Sequence, residues 1–334
     1  IPRIDFSDDA NGALLLEPTS TNFAVYSEAI STSYSPNNLT QTPNYGISPD
    51  GNLTSTRAVL NNLTDSRTSF NNTSLVNGTE YTFSAYYKGV IGQTTYMYFL
   101  SSAGGVNVSK EIVFNGQWQR ESITFTAGSA NNFTYIVDVR QGTSTATDFE
   151  VWGVQVEEDS YSTSYIKNEG TAAGITRAAD TANGAGNATV INSTEGVLYA
   201  EISALANDLT DRHITLSDGT QSNYIRIQFG GTANQFYYFV KVGGVIQSDI
   251  RFAVSNALNM NKVACVWKQN DFSLWINGVE VDTNISGNTF SANALDELSF
   301  NDGGVGSAFK GKTKDLRVYT TALSDAELTT LTTI

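Results

Sequence analysis

Between Glu80 and Glu157, and again between Glu195 and Tyr319, the chain is a succession of short alternating runs, each cut off by Gly, Asn or Asp. In EYTFSAYYKG, Tyr81, Phe83, Ala85 and Tyr87 fall on one side of an extended chain, while Thr82, Ser84, Tyr86 and Lys88 fall on the other. TTYMYFL, SKEIVF, WQRESITFTAG, FTYIVDVRQG and DFEVWGVQVEE follow at the roughly 8–12-residue rhythm of a sandwich. No strand is followed by a long segment of 3.6 period, so parallel sheets built from β-α-β crossovers are not expected. The pattern predicts an all-β chain.

At 334 residues there is room for two cores. Residues 1–20 read as a polar lead-in ending in the strand GALLLEP, stopped by Pro18, and 21–165 as a first sandwich. The stretch 166–194 is small, polar and rich in Gly and Ala, and reads as a linker. Residues 195–334 read as a second sandwich, and the two halves do not align as a repeat. Inside the second, Asn277-Gly278 between two alternating runs predicts a two-residue hairpin. The close of the chain departs from this texture. Ser324 and Glu327 have the spacing of a capping box, and Leu323 and Leu328 that of a hydrophobic staple, so DLRVYTTA runs into a short helical turn.

A net charge of −14 disfavours nucleic acid and acidic membranes. One cysteine, Cys265 in the apolar run VACVW, leaves no disulfide framework and reads as a small buried hydrophobe. No apolar run reaches the roughly 18 residues that cross a bilayer. The start, IPRIDFSDDANG, has neither an initiator Met nor a signal-peptide pattern, which suggests a piece of a longer protein. Asn-x-Ser/Thr triplets at Asn38, Asn52 and Asn62 are expected by chance in a chain this rich in Asn, Ser and Thr.

Catalytic groups are scarce. The one histidine, His213, alternates with Ile214 and Leu216 and so reads as a surface residue on the polar side of its strand. Nothing near it resembles a nucleophile elbow. Glycoside hydrolysis needs two carboxylates roughly 5–10 Å apart; Glu280 and Asp282 begin an E-x-D-x-x-E spacing, but Ile285 stands where the third acid belongs. Glu157–Asp159 lie at a strand end. Asp218 and Asp302, each followed by Gly, read as turns before they read as calcium ligands. The chain therefore reads as non-enzymatic, with no metal site or cofactor; a structural calcium is conceivable but unsupported.

A binding face is easier to find. In NYIRIQF, Ile225, Ile227 and Phe229 turn inward and Tyr224, Arg226 and Gln228 outward; in QFYYFVKV, Tyr237, Phe239 and Lys241 turn outward. With GGTAN as the hairpin loop, these six residues share one sheet face of aromatic and basic groups. Such a face suits a glycan or a protein partner, a subunit interface or packing on the first sandwich included. Tyr86 is a weaker candidate in the first half, and Trp118 reads as core.

LWINGVEV in mid-domain, followed by KDLRVYTTALSDAEL at the close, makes residues 195–334 resemble the laminin-G/concanavalin A-like domains. PRIDFSDDANGALLLEPTSTN, YTFSAYYKG, WQRESITFTAG and VWGVQVEEDSYSTSYIKNEGTAAGITRAAD make residues 1–180 resemble the carbohydrate-binding-like jelly-roll segments of bacteriophage fibre and spike proteins. The resemblance implies two tandem antiparallel β-sandwiches, jelly roll then laminin-G-like, with the helical turn capping the second. It implies a virion fibre, spike or decoration segment at the virion surface or outside the cell, contacting a cell-surface polysaccharide or another virion protein, and plausibly a homotrimer. Carbohydrate-binding modules from a secreted bacterial polysaccharide-degrading enzyme or adhesin are the alternative. Related glycan-binding jelly rolls hold calcium through an Asp on the last strand; here Trp152 and Gly153 stand there.

Overall fold

The computed structural model describes residues 3–7, 9–103, 105–304 and 306–334. The chain divides into two compact units, Thr19–Ala178 and Ile1–Pro18 together with Ala179–Ile334. Both are antiparallel β-sandwiches, as the period-two pattern predicts.

In Thr19–Ala178 one sheet runs, in spatial order, Val106–Val113, Thr94–Ser101, Asn132–Asp138, Arg67–Asn71 and Ser35–Asn37. The other runs Gln119–Thr126, Glu80–Gly89, Asp148–Glu157, Thr56–Leu60 and Leu39–Thr42. Tyr81, Phe83, Ala85 and Tyr87 all enter the core, with Met97, Phe99 and Ile112 in the same apolar cluster. The opposite face of that strand is covered too. Thr82 Oγ1 donates to the Asp159 carbonyl at 2.7 Å, and Arg120 donates to Ser84 Oγ and to the Thr163 carbonyl. Glu157 is fully buried, accepting from Ser20 Oγ and from the Thr163 amide and hydroxyl, so the first acid of the strand-end cluster is a structural anchor, while Glu158 is exposed. Gly153 takes φ +64° where the 148–157 strand bulges, and a Cβ there would stand 3.1 Å from the Tyr86 ring. The position of the expected calcium acid is thus a conformational glycine.

The boundaries differ from the sequence reading at both ends of this unit. Ala13–Leu16 pairs with Gly311–Tyr319, and Arg3–Asp5 pairs with Ala13–Leu16, so the lead-in forms the edge of the C-terminal sandwich. Arg3 bridges Glu17 at 2.7 Å and also pairs with Asp180, closing the chain entry against its return. The stretch 166–194 contains the crossing between the two units, at 178/179, and is tied into each at a few points. Ile175–Arg177 pairs with Ser20–Asn22; further on, Ala185 bridges Leu298 and Ile191 is core. Segments of small residues lack side-chain periodicity, yet their backbone groups still complete a sheet edge.

The C-terminal unit has a seven-stranded sheet, ordered Arg3–Asp5, Ala13–Leu16, Gly311–Tyr319, Glu195–Ala204, Asn261–Lys268, Asp271–Ile276 and Val279–Asn284. Its five-stranded sheet runs Val245–Ala253, Thr232–Val242, Tyr224–Gly230, Arg212–Ser217 and Glu297–Ser299. Leu198, Ile227, Phe236, Trp267 and Phe272 fill the space between them, with Cys265 fully buried among them. The closing helix is Asp325–Thr332. The Glu327 carboxylate accepts from the Ser324 amide at 2.8 Å and from its hydroxyl at 2.7 Å, and Leu328 packs on Val197, Ala264, Val266 and Trp275. The helix therefore covers an apolar patch on the outer face of the seven-stranded sheet.

Asn277 and Gly278 both take positive φ, +52° and +87°, as the two-residue hairpin requires. A Cβ on Gly278 would be strained by that φ and would sit 3.1 Å from Thr333 Oγ1. Gly278→Ala is expected to cost about 1 kcal/mol, read as a lower urea midpoint for the C-terminal unit.

Candidate functional site

The ladder places the six candidate residues side by side: Tyr224 opposite Lys241, Arg226 opposite Phe239, and Gln228 opposite Tyr237. The hairpin is tighter than GGTAN, because Gly230 and Gly231 both take positive φ and pairing resumes at Thr232. The face is less open than expected. Tyr224, Arg226, Gln228 and Tyr237 are under 10% exposed, and only Phe239 and Lys241 are half-buried.

The side chains close the face themselves. The Arg226 guanidinium lies 3.9 Å over the Tyr224 ring and Lys241 Nζ 5.8 Å over it, while Tyr237 and Phe239 stack at 5.8 Å. From the neighbouring strand, Arg251 lies 5.1 Å over Tyr237 and 5.7 Å over Phe239, held by both oxygens of Asp249 at 2.7 Å. Arg251 and Asp249 are exposed and were not among the candidates, although their alternation with Ile250 marks them as outward.

His213 is the larger surprise. It stands opposite Gln228 on the polar side of its strand, as the alternation requires, but it is 4% exposed rather than at the surface. The segment after the Glu297–Ser299 strand accounts for this: Ala308 bridges His213, Thr215 Oγ1 donates to the Asn301 carbonyl, and Arg226 donates to the Asp302 carbonyl. Asp302 holds that segment in a turn, accepting from the Gly304 and Gly306 amides and from Gln221. Asp218 likewise caps its own turn through Thr220 and Asn223. Both acids serve turns, as their sequence context suggests. Burial, and then the Arg226 cation, push the His213 pKa down to about 3, so the imidazole is neutral at ordinary pH. Gln228 across the ladder offsets that fall only weakly, and by strict geometry neither ring nitrogen nor Arg226 Nε completes a hydrogen bond among the described residues.

Among the described residues, no second set competes as chemistry. Glu280 and Asp282 lie exposed on the sheet's edge strand, and Ile285 beyond them is 78% exposed. The Glu280 carboxyl is pushed up by partial burial and by the nearby Asp325, Asp271 and Asp282. A groove of about 730 Å³ runs beside the closing helix; of its two rings Tyr199 is almost wholly buried and Tyr319 half-buried. Tyr86 is packed against Trp152 at 5.4 Å under Arg120, so it belongs to the scaffold. Trp118 is not core: it is half-buried in a loop, its indole N–H donating to the Ile47 carbonyl at 2.9 Å.

Residues 198–329 match a family described as the concanavalin A-like lectin/glucanases superfamily. This agrees with the C-terminal unit's architecture, a lectin-like β-sandwich. Among solved structures, the CBM40 of the Ruminococcus gnavus IT-sialidase is similar at 18% identity and TM-score 0.37, over 46% of this chain and 95% of that one. Domain 4 of AbnA, a GH43 extracellular arabinanase from Geobacillus stearothermophilus, solved with arabinotriose, is similar at 16% identity and TM-score 0.36, over 44% and 70%. The Caenorhabditis elegans galectin LEC-6 is similar at 14% identity and TM-score 0.30, over 41% and 89%. No curated protein matches the chain. Among the described residues, no helix is long and apolar enough to cross a membrane.

Proposed function

We propose that this chain is a non-enzymatic glycan-binding protein, and that its C-terminal sandwich takes sugar on the face formed by Tyr224, Arg226, Gln228, Tyr237, Phe239 and Lys241. The observation that carries the reading is the aromatic and basic face itself, with Tyr237 and Phe239 stacked at 5.8 Å beside Gln228, Arg226 and Lys241 on paired strands. His213, beside Gln228, is covered by the stretch that carries Asn301 and Ala308 and so supports the face from within. The rings Tyr237 and Phe239 supply apolar faces for the sugar's C–H side. What lies over them is Arg251, an exposed, flexible side chain that a ligand can displace.

The family description names both lectins and glucanases. The lectin reading is preferred because the one acid spacing that suggested hydrolysis lacks its third member, at Ile285. The setting we propose is a virion fibre or spike segment at the virion surface, carried by the wording of residues 1–180, with a homotrimer as the expected assembly; another virion protein is then the alternative partner. Modules of a secreted polysaccharide-degrading enzyme or adhesin would use the same face. A trimer mass in solution supports the first setting, and a monomer weakens it.

The test is a broad glycan array probed with the full chain and with two variants. Arg226→Ala/Tyr237→Ala removes the centre of the face. Phe239→Ala/Lys241→Ala removes only half-buried groups, so it keeps the test readable where the first variant fails to fold. Binding by the wild type that either folded variant loses is the expected result. Binding unchanged in both would remove this face from the reading. A well-folded wild type that binds nothing would turn the face into a protein interface.

A further inference from the structure

We infer that the N-terminal sandwich carries a second binding site, at one loop end, for a neutral glycan. Large apolar side chains are exposed there in unusual density. Tyr45 is 49% exposed, Ile47 58%, Leu53 55%, Val90 59% and Ile91 74%, with Trp118 half-buried among them. They come from three loops, 43–55, 90–93 and 114–118, that touch one another. Trp118 is bonded to the Ile47 carbonyl, and a Cβ on Gly116 would lie 3.7 Å from Ile91 Cβ. An apolar cluster of this kind on an otherwise polar surface marks an interaction site.

Charged groups are fixed at its centre. A pocket of about 220 Å³ opens between Tyr45 and Val90, lined also by Lys88, Asp148 and Glu150. Arg57 lies 5.0 Å from the Tyr45 ring centre and is held by both oxygens of Asp148. Lys88 lies 5.9 Å from the Trp118 ring centre and 3.6 Å from Glu150, whose other oxygen accepts from Ser55 Oγ at 2.6 Å. Gly46 lets the loop approach this carboxylate, since a Cβ there would fall 2.1 Å from Glu150 Oε2. Both rings are therefore held in place before any ligand arrives, which lowers the cost of binding.

The chemistry selects the ligand class. Protein–protein interfaces are depleted of charge at their centres, whereas here Asp148, Glu150 and Lys88 line the pocket inside an aromatic and aliphatic rim, with Arg57 paired to Asp148 beside it. Paired donors and acceptors beside an open aromatic face suit a sugar ring, its hydroxyls on the charged groups and its C–H face on Tyr45. Asp148 and Glu150 balance Arg57 and Lys88, so the site has no local charge to attract an anionic glycan, and the chain as a whole, at −14, repels one. The site lies in a different unit from the face proposed above and does not depend on it.

Trp118 supplies the readout. The other three tryptophans, Trp152, Trp267 and Trp275, are buried, so collisional quenching by acrylamide reports chiefly on Trp118. The full chain is titrated with soluble dextran, galactomannan and xylan, and with polygalacturonate as the anionic comparison. At least one neutral polysaccharide is expected to shield Trp118, with polygalacturonate inert. Tyr45→Ala, an exposed change, is expected to weaken that shielding about tenfold, and Trp118→Phe to abolish the signal. Arg226→Ala/Tyr237→Ala is expected to leave it intact, which separates this site from the C-terminal face. No shielding by any neutral polysaccharide, or shielding indifferent to Tyr45→Ala, overturns the assignment. Shielding that grows with protein concentration alone overturns it in favour of a contact between copies of the chain.

Discussion

Deleting residues 1–18 is expected to unfold the C-terminal unit while the N-terminal unit stays folded. The deletion removes two strands of a seven-stranded sheet and bares the Gly311–Tyr319 strand as a new edge. Leu16, 2% exposed, leaves the core, and Leu14 is lost from its margin. Asp180 loses both Arg3 and the Glu17 amide, Lys312 loses Asp5, and Lys314 loses Asp9. A buried leucine alone is worth about 2–5 kcal/mol, and the unpaired edge adds to that, against a typical domain stability of about 5–15 kcal/mol. Limited proteolysis read by mass spectrometry checks this: peptides from 179–334 should be cut rapidly and those from 19–178 spared. Equal resistance in both halves would mean that the first eighteen residues are dispensable to the fold.

The second large effect is a loss of stability in mild acid that depends on His213. Its folded pKa of about 3 lies below the 6.5 of a free histidine, because burial and the Arg226 cation oppose protonation while Asp302 only partly offsets them. Between those values the unfolded chain binds a proton that the folded chain refuses, so stability rises with pH across this window. It is fully present above about pH 7 and falls as the pH drops through 6.5 toward 3. From pH 7 to pH 5 the loss should be about 2 kcal/mol. Because this is the chain's one histidine, His213→Gln should flatten the urea midpoint of the C-terminal unit over that range. A wild-type midpoint already flat from pH 7 to 5 would show that the ring protonates in place. A glycan on the proposed face should raise the midpoint equally at pH 7 and pH 5, because the folded ring is neutral at both.

These two predictions differ in how far the sequence anticipates them. Alternation placed His213 on the polar side of its strand, and that is where it lies. Its burial comes from some 90 residues further along, where the Asn301 carbonyl and Ala308 meet the same face. The six candidate residues were likewise legible as neighbours, since a hairpin fixes its own register. Arg251 closing over Tyr237 and Phe239 requires the next strand's pairing, and the exposed cluster around Tyr45 and Trp118 requires three loops to meet. Trp118 misled for a simple reason: a lone tryptophan beside a turn has no alternation to say which side it faces.

By itself, then, the sequence determined what is local. The period-two runs, the Asn277-Gly278 hairpin and the Ser324–Glu327 cap each depend on residues a few positions apart, and all stand as read. Only the tertiary structure decided the membership of the two units, the burial of the polar face and the location of the open aromatic rings. Strands such as Ala13–Leu16 and Gly311–Tyr319 lie some 300 residues apart, and a backbone ladder carries no side-chain signature of its partner. Which faces meet water is decided by what crosses over them.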